Sequence, residues 1–172
     1  APMLEGVTVV IMGYAQSDEY FTELKSRAER NGTLGGTIRF KPAVPIADVL
    51  RWVASADLVV VPTQAICLSY RFEASNKMFH AVMAGVPLAM SDHEEKRILA
   101  DRHGIGVLFD ETDPAAIARS INELAHDDDA RLTLARACEA AAPALSWEHD
   151  ERTLLEVVGG LVGSCDTGPG SA

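Results

Sequence analysis

The stretch most informative about chemistry covers residues 67–92, CLSYRFEASNKMFHAVMAGVPLAMSD. Within it, RFEASNK brings Arg71, Glu73 and Lys77 together with the small polar residues Ser75 and Asn76, and His80 follows three residues after Lys77. Ser75 is suited to cap a helix that begins near Asn76, because its hydroxyl can accept from an amide of the first turn. A helix N-terminus presents unsatisfied backbone N–H groups and a partial positive charge, so it can hold an anion, and Lys77 adds a full charge there. Glu73, Lys77 and His80 have a spacing that lets them share one side of the segment, while Phe79, Val82 and Met83 turn to the core. The chemistry implied is the binding of a phosphate or diphosphate with an acid close by. The plain alternative is a solvated loop whose charges serve solubility, and spacing alone does not separate the two.

The elements that must position this segment alternate between strand-like and helix-like patterns, which predicts crossover units and a largely parallel sheet. Five short apolar runs read as strands: residues 7–13 (VTVVIMG), 37–41 (TIRFK), 58–62 (LVVVP), 87–91 (PLAMS) and 106–109 (GVLF). The first and third are continuous β-branched runs, as expected of strands covered on both faces. Between them, Phe21, Leu24 and Ala28, then Ile46, Val49, Leu50 and Val53, then Ile117, Ile121 and Leu124 recur at helical spacing and predict core-facing stripes. Asp113 before Pro114 marks a helix start, and Gly85 with Pro87 two residues on marks a helix stop. The loop RFEASNK then falls at the carboxyl edge of the sheet, after LVVVP, where open α/β sheets bind ligands. In the last helix Leu154, Val157, Val158 and Leu161 form a stripe that Leu155 and Val162 widen, so it is either a well-buried terminal helix or one that docks on something outside this chain. Residues 164–172, SCDTGPGSA, have no periodicity and are expected to be a disordered tail behind a single domain of residues 1–163.

A chain of 172 residues with 48% hydrophobic side chains is sized for one domain with a sizeable core. Fifteen basic against 25 acidic side chains leave a net charge of −10, which disfavours nucleic acid and anionic membranes as partners. Cys67, Cys138 and Cys165 lie far apart, odd in number and without metal-ligand spacing, and read as free thiols in a reducing compartment. No apolar run approaches the roughly 20 residues that span a bilayer, and a signal peptide is not apparent, so a cytoplasmic location is expected. The opening Ala-Pro makes an excised or processed fragment one of the readings.

In their order and spacing these segments resemble the C-terminal nucleotide-sugar-binding domain of retaining glycosyltransferases of the GT-B architecture, group 1 or family 4-like, in which two Rossmann-like domains face across a cleft. The resemblance runs through VTVVIMG, TIRFKPAVPIADVLRWVASADLVVVPT, SNKMFHAVMAGVPLAMSDHEE, GIGVLFDETDPAAIARSINEL and SWEHDERTLLEVV. It implies a three-layer α/β/α fold with a mainly parallel sheet, one half of a GT-B architecture, binding a UDP-, GDP- or dTDP-sugar donor with no other cofactor and no metal. By the same resemblance Glu73 is the candidate catalytic acid at the donor sugar. Arg71, Ser75 and Asn76 belong to the loop and helix start that present backbone amides, and Lys77 faces the diphosphate. Residues 42–45, Val44 among them, match the place where backbone groups meet the base. Where the family carries a ribose-binding glutamate, this chain has His80, which can accept one hydrogen bond and donate another.

The resemblance also implies that two parts lie outside this chain: a preceding segment that supplies cations to the phosphates, and an N-terminal domain that holds a glycan, lipid or small-molecule acceptor. The isolated chain is then expected to bind donor weakly and transfer nothing, with the last helix open to a partner domain or a second copy. A dinucleotide-dependent oxidoreductase needs three glycines where IMGYAQSDEY has one, and neither a P-loop nor G-x-S-x-G is present. A nucleotide-sugar epimerase half and a non-catalytic or split-transferase module remain as alternatives.

Overall fold

The structure, a computed structural model, describes residues 1–15 and 17–163, so the expected tail with Cys165 lies outside the described residues, as does the side chain of Val162. Strands and helices alternate as β1 (Val9–Met12), α1 (Asp18–Arg30), β2 (Ile38–Lys41), α2 (Ile46–Val53), β3 (Val59–Val61), α3 (Leu68–Arg71), α4 (Asn76–Met83), β4 (Leu88–Ser91), α5 (Glu94–His103), β5 (Gly106–Phe109), α6 (Pro114–His126), α7 (Asp128–Ala141) and α8 (Trp147–Gly163). The local signals act where the sequence places them. Ser75 Oγ accepts from the Lys77 amide at 3.3 Å to start α4, and Asp113 Oδ1 accepts from the Ala115 amide at 2.8 Å with Pro114 opening α6. Gly85 takes φ 66° just after α4, a left-handed conformation that costs a side-chain residue and stops the helix. The loop 71–77 is partly helical, since Arg71 closes the short α3.

Every strand pairing is parallel, but the strands divide between two sheets, β1-β2 and β3-β4-β5. Among the described residues no ladder joins β1 to β3. The N-terminal segment fastens onto α6 instead, where Asn122 accepts from the Glu5 amide at 3.1 Å and donates to the Met3 carbonyl at 2.8 Å. The expectation that the first β-branched run is covered on both faces is corrected accordingly. Val10 and Ile11 are exposed, because β1 is an edge strand bonded to β2 alone.

The core lies around β4, whose four residues are all buried. Leu88 and Met90 pack on one face with Met78 and Val82 of α4 and Cys138 of α7, while Ala89 packs on the other with Phe109 and Leu124, following the two-residue period of a strand. This sandwiching of a parallel sheet between helices is the Rossmann-like layering expected. Gly106 allows β5 to approach, since a Cβ there would collide with the Leu88 carbonyl. Burial, with a contribution from Glu139, pushes the Cys138 thiol up to about 11. The α2 stripe is corrected at Ile46, which is 82% exposed at the helix start, and at Leu50, which is also exposed, while Val53 packs against the core.

Helix α8 is not the buried terminal helix that was one reading of its sequence. Leu154, Leu155, Val157, Val158 and Leu161 are all exposed, Leu155 at 64%. Leu155→Lys should therefore leave the unfolding free energy of this chain, measured in urea, within about 0.5 kcal/mol of wild type, as surface substitutions do. A loss of 2 kcal/mol or more would show that α8 packs inside the domain.

Candidate functional site

Because β3, β4 and β5 are parallel, the loops that follow them gather at one edge, and α4 begins there. Ser75, Asn76 and Lys77 form its N-terminus: Ser75 is buried as the cap, whereas Asn76 and Lys77 are exposed. Among the described residues the Lys77 ammonium has no hydrogen bond or ion pair. Arg71 is exposed, with its guanidinium 5.7 Å from the Phe72 ring centroid. His80 is half-buried in the last turn of α4, and Val44 is half-buried after β2. Two hollows open on the surface of the chain. One of about 460 Å³ at the carboxyl ends of β1 and β2 is lined by Gly13, Phe21, Lys41, Pro42 and Ala43, next to Val44. The other, about 540 Å³, lies between α1 and the end of β3, lined by Tyr20, Arg27, Thr63, Gln64 and Glu111 among others.

Glu73 turns inward. Its Oε1 accepts from Thr63 Oγ1 at 3.0 Å and lies 3.8 Å from Lys96 Nζ, and its main-chain carbonyl accepts from the same ammonium at 3.4 Å. Among the described residues no hydrogen bond or ion pair joins Glu73 to Lys77 or His80. Lys96 has no exposed surface, although it is a lysine on α5. Its other neighbour is His93 Nδ1 at 3.5 Å, and His93 Nε2 lies 3.1 Å from Glu111 Oε1 without the alignment of a full hydrogen bond. An ammonium can only donate, so Nδ1 is assigned as the acceptor and the ring proton to Nε2, toward Glu111. Burial acts to raise the Glu111 pKa, but His93 and the backbone amides of Glu111 and Ala65 outweigh it and hold the carboxyl below its ordinary range. Burial likewise pushes the Lys96 ammonium below its ordinary value, against the pull of Glu73 and Glu111.

Thr63, His93, Lys96 and Glu111 are site-edge residues that motif reading passes over. A faint signal exists for one of them: Lys96 precedes Ala100 by four residues and so shares the buried stripe of α5. Nothing in the sequence pairs it with Glu73.

A parallel α/β layering with a capped helix start and a free lysine at its carboxyl edge is the geometry on which comparison with known proteins bears. The sequence model of the family described as Glycosyl transferases group 1 matches residues 2–127. The chain belongs to that family. It is 30% identical over 162 residues to a D-inositol 3-phosphate glycosyltransferase of Salinispora tropica, covering 93% of this chain and 32% of that protein. A second D-inositol 3-phosphate glycosyltransferase, of Nocardioides sp., is 29% identical over 126 residues, covering 73% of this chain and 26% of its own length. The chain thus spans about a third or less of the relatives it matches. Among solved structures, sucrose-phosphate synthase from Thermosynechococcus elongatus superposes with a TM-score of 0.75 at 18% identity, covering 90% of this chain and 38% of that one. HepE from Anabaena, solved in complex with UDP-glucose, also gives 0.75 at 20% identity, covering 95% and 43%. At those identities the likeness is one of fold: this group 1 chain has the Rossmann-like α/β fold found in GT-B glycosyltransferases.

Among the described residues no helix is long and apolar enough to cross a membrane, and no cluster of three His, Cys, Asp or Glu side chains is arranged to hold a metal ion.

The depressed Lys96 value has a definite consequence for stability. The unfolded chain keeps this proton up to about pH 10.5 and the folded chain releases it earlier, so the unfolded state binds more protons in between and stability rises with pH through that window. In urea unfolding at about pH 7.5 and about pH 10, wild type should gain stability relative to Lys96→Met at the higher pH. A difference that is constant or moves the other way would contradict a buried, charged Lys96.

Proposed function

We propose that this chain is the donor-binding half of a retaining glycosyltransferase, taking a nucleoside-diphosphate sugar at the N-terminus of α4. The observation that carries the reading is the conjunction of Ser75-capped α4, opening at the carboxyl edge of a parallel sheet, with an exposed Lys77 in its first turn whose ammonium has no partner among the described residues. The positive end of the α4 dipole and the ammonium converge on one anion, which matters in a chain whose net charge of −10 would otherwise repel it. Support comes from the family and from a neighbour of the same fold that holds UDP-glucose. In this reading Asn76 and Lys77 meet the diphosphate, Glu73 and Arg71 stand at the sugar side, and His80 meets the ribose in place of a glutamate. The hollow beside Val44 takes the base, read by backbone groups of residues 42–45.

A second domain outside this chain supplies the acceptor, a glycan, lipid or small molecule, and the exposed face of α8 packs against that domain. The chain alone then holds a donor weakly and transfers nothing, because the acceptor is not oriented. The exposure of α8 equally favours a second reading, a module that works through a separate partner chain or a second copy of itself. Sedimentation separates the second-copy form of this reading from the donor half: the donor half is monomeric alone, whereas the self-associating module is a dimer.

Calorimetric titration with UDP, GDP and dTDP and their sugar conjugates tests the donor site directly. One of these series should bind, and Lys77→Ala should weaken it by about 1–2 kcal/mol, the loss of one charge-assisted hydrogen bond. Failure of every nucleotide to bind, or an unchanged affinity in Lys77→Ala, contradicts the reading. His80→Glu should keep or improve ribonucleotide binding and His80→Ala should weaken it; if both bind as wild type does, His80 lies outside the site.

A further inference from the structure

Under the carboxyl edge of the three-stranded sheet, one fully buried ammonium joins loops that are far apart in sequence. Lys96 Nζ reaches Glu73 twice, at the main-chain carbonyl (3.4 Å) and at Oε1 (3.8 Å), so it grips backbone and side chain together. Thr63 Oγ1 holds the same Oε1 at 3.0 Å. On the far side His93 and Glu111 complete a series of acid, lysine, histidine and acid whose lysine and histidine are buried. Desolvating an ammonium is costly, and an apolar side chain of similar volume would fill the space without that cost. What the charge secures is Glu73, two residues before the Ser75 cap of α4. Among the described residues Oε2 of Glu73 has no partner and the side chain is 30% exposed, so the tie fixes the carboxylate without using it up.

We propose that Lys96 is a positioning residue for the candidate donor site: by holding Glu73 at two points it fixes the loop 72–75 and with it the direction of the first amides of α4. Its consequence for nucleotide binding rests on the donor-site reading; its consequence for the loop does not.

The test compares Lys96→Met, Glu73→Gln and the double variant K96M/E73Q with wild type, by amide hydrogen exchange and by calorimetry with UDP. The double variant removes both charges and so folds even where a single one, left with an unpaired charge, does not. Lys96→Met and the double variant, where folded, should exchange the Lys77 and Met78 amides about tenfold faster and bind UDP about tenfold more weakly; Glu73→Gln, which keeps the main-chain contact, should do so less, and the double variant no more than Lys96→Met, because the side-chain tie is already lost with the ammonium. Unchanged exchange in the folded double variant overturns the proposal, as do additive effects of the two single changes. Faster, non-additive exchange together with no UDP binding by wild type upholds the positioning role and removes the donor-site reading instead.

Discussion

Strand β4 is the constraint on which the rest of the structure depends. Leu88, Ala89, Met90 and Ser91 have no exposed surface, and neighbours occupy both faces and both edges. A strand enclosed in this way must satisfy its backbone by pairing, and β3 and β5 do so in parallel, which forces helical crossovers and brings the strand ends out at one edge. Ser91 closes that edge: its hydroxyl is shared between the carbonyls of Val61 (3.2 Å) and Thr63 (2.7 Å) where the β3 ladder ends. Thr63 then holds Glu73, so the geometry of the loop ahead of α4 descends from the central strand through two hydroxyls.

Two lysines divide the electrostatic work at this edge. Lys77 is exposed and has no internal partner among the described residues, so its charge is available to an anion from solution. Lys96 is fully buried and engaged with Glu73 and His93, so its charge acts on the protein itself. Exchanging their environments would fail in both places, since a solvated Lys96 could not grip the loop and a buried Lys77 could not meet a ligand. The acidity of the chain as a whole sharpens the contrast, because an anion approaching it gains only where a local cation and helix amides converge.

Much of this was legible in the sequence where the physics is local. The β-branched runs, the Ser75 and Asp113 caps and the Gly85 stop each depend on a few neighbouring residues, and each appears at its place. The segment 67–92 was legible as a candidate site because its cap, its lysine and its strand lie within one short window. Long-range pairings were not. The division of the strands into two sheets follows from which edges meet in space, and Val10, Ile11 and Ile46 are exposed for want of neighbours that sequence pattern cannot count. Lys96 reads as an ordinary surface lysine in EEKRILADRH, and only the fold brings it beneath Glu73. The breadth of the apolar face of α8 was visible; that it lies uncovered was not.

The claim on which the account turns is that an anion binds at the N-terminus of α4. The most direct measurement is a residue-resolved one, amide nitrogen and proton chemical shifts of the whole chain followed during titration with UDP. The account predicts that the largest shifts fall on the backbone amides of Asn76, Lys77 and Met78, the first of α4, with smaller ones around the hollow beside Pro42. Shifts that cluster elsewhere while those amides stay fixed would contradict it.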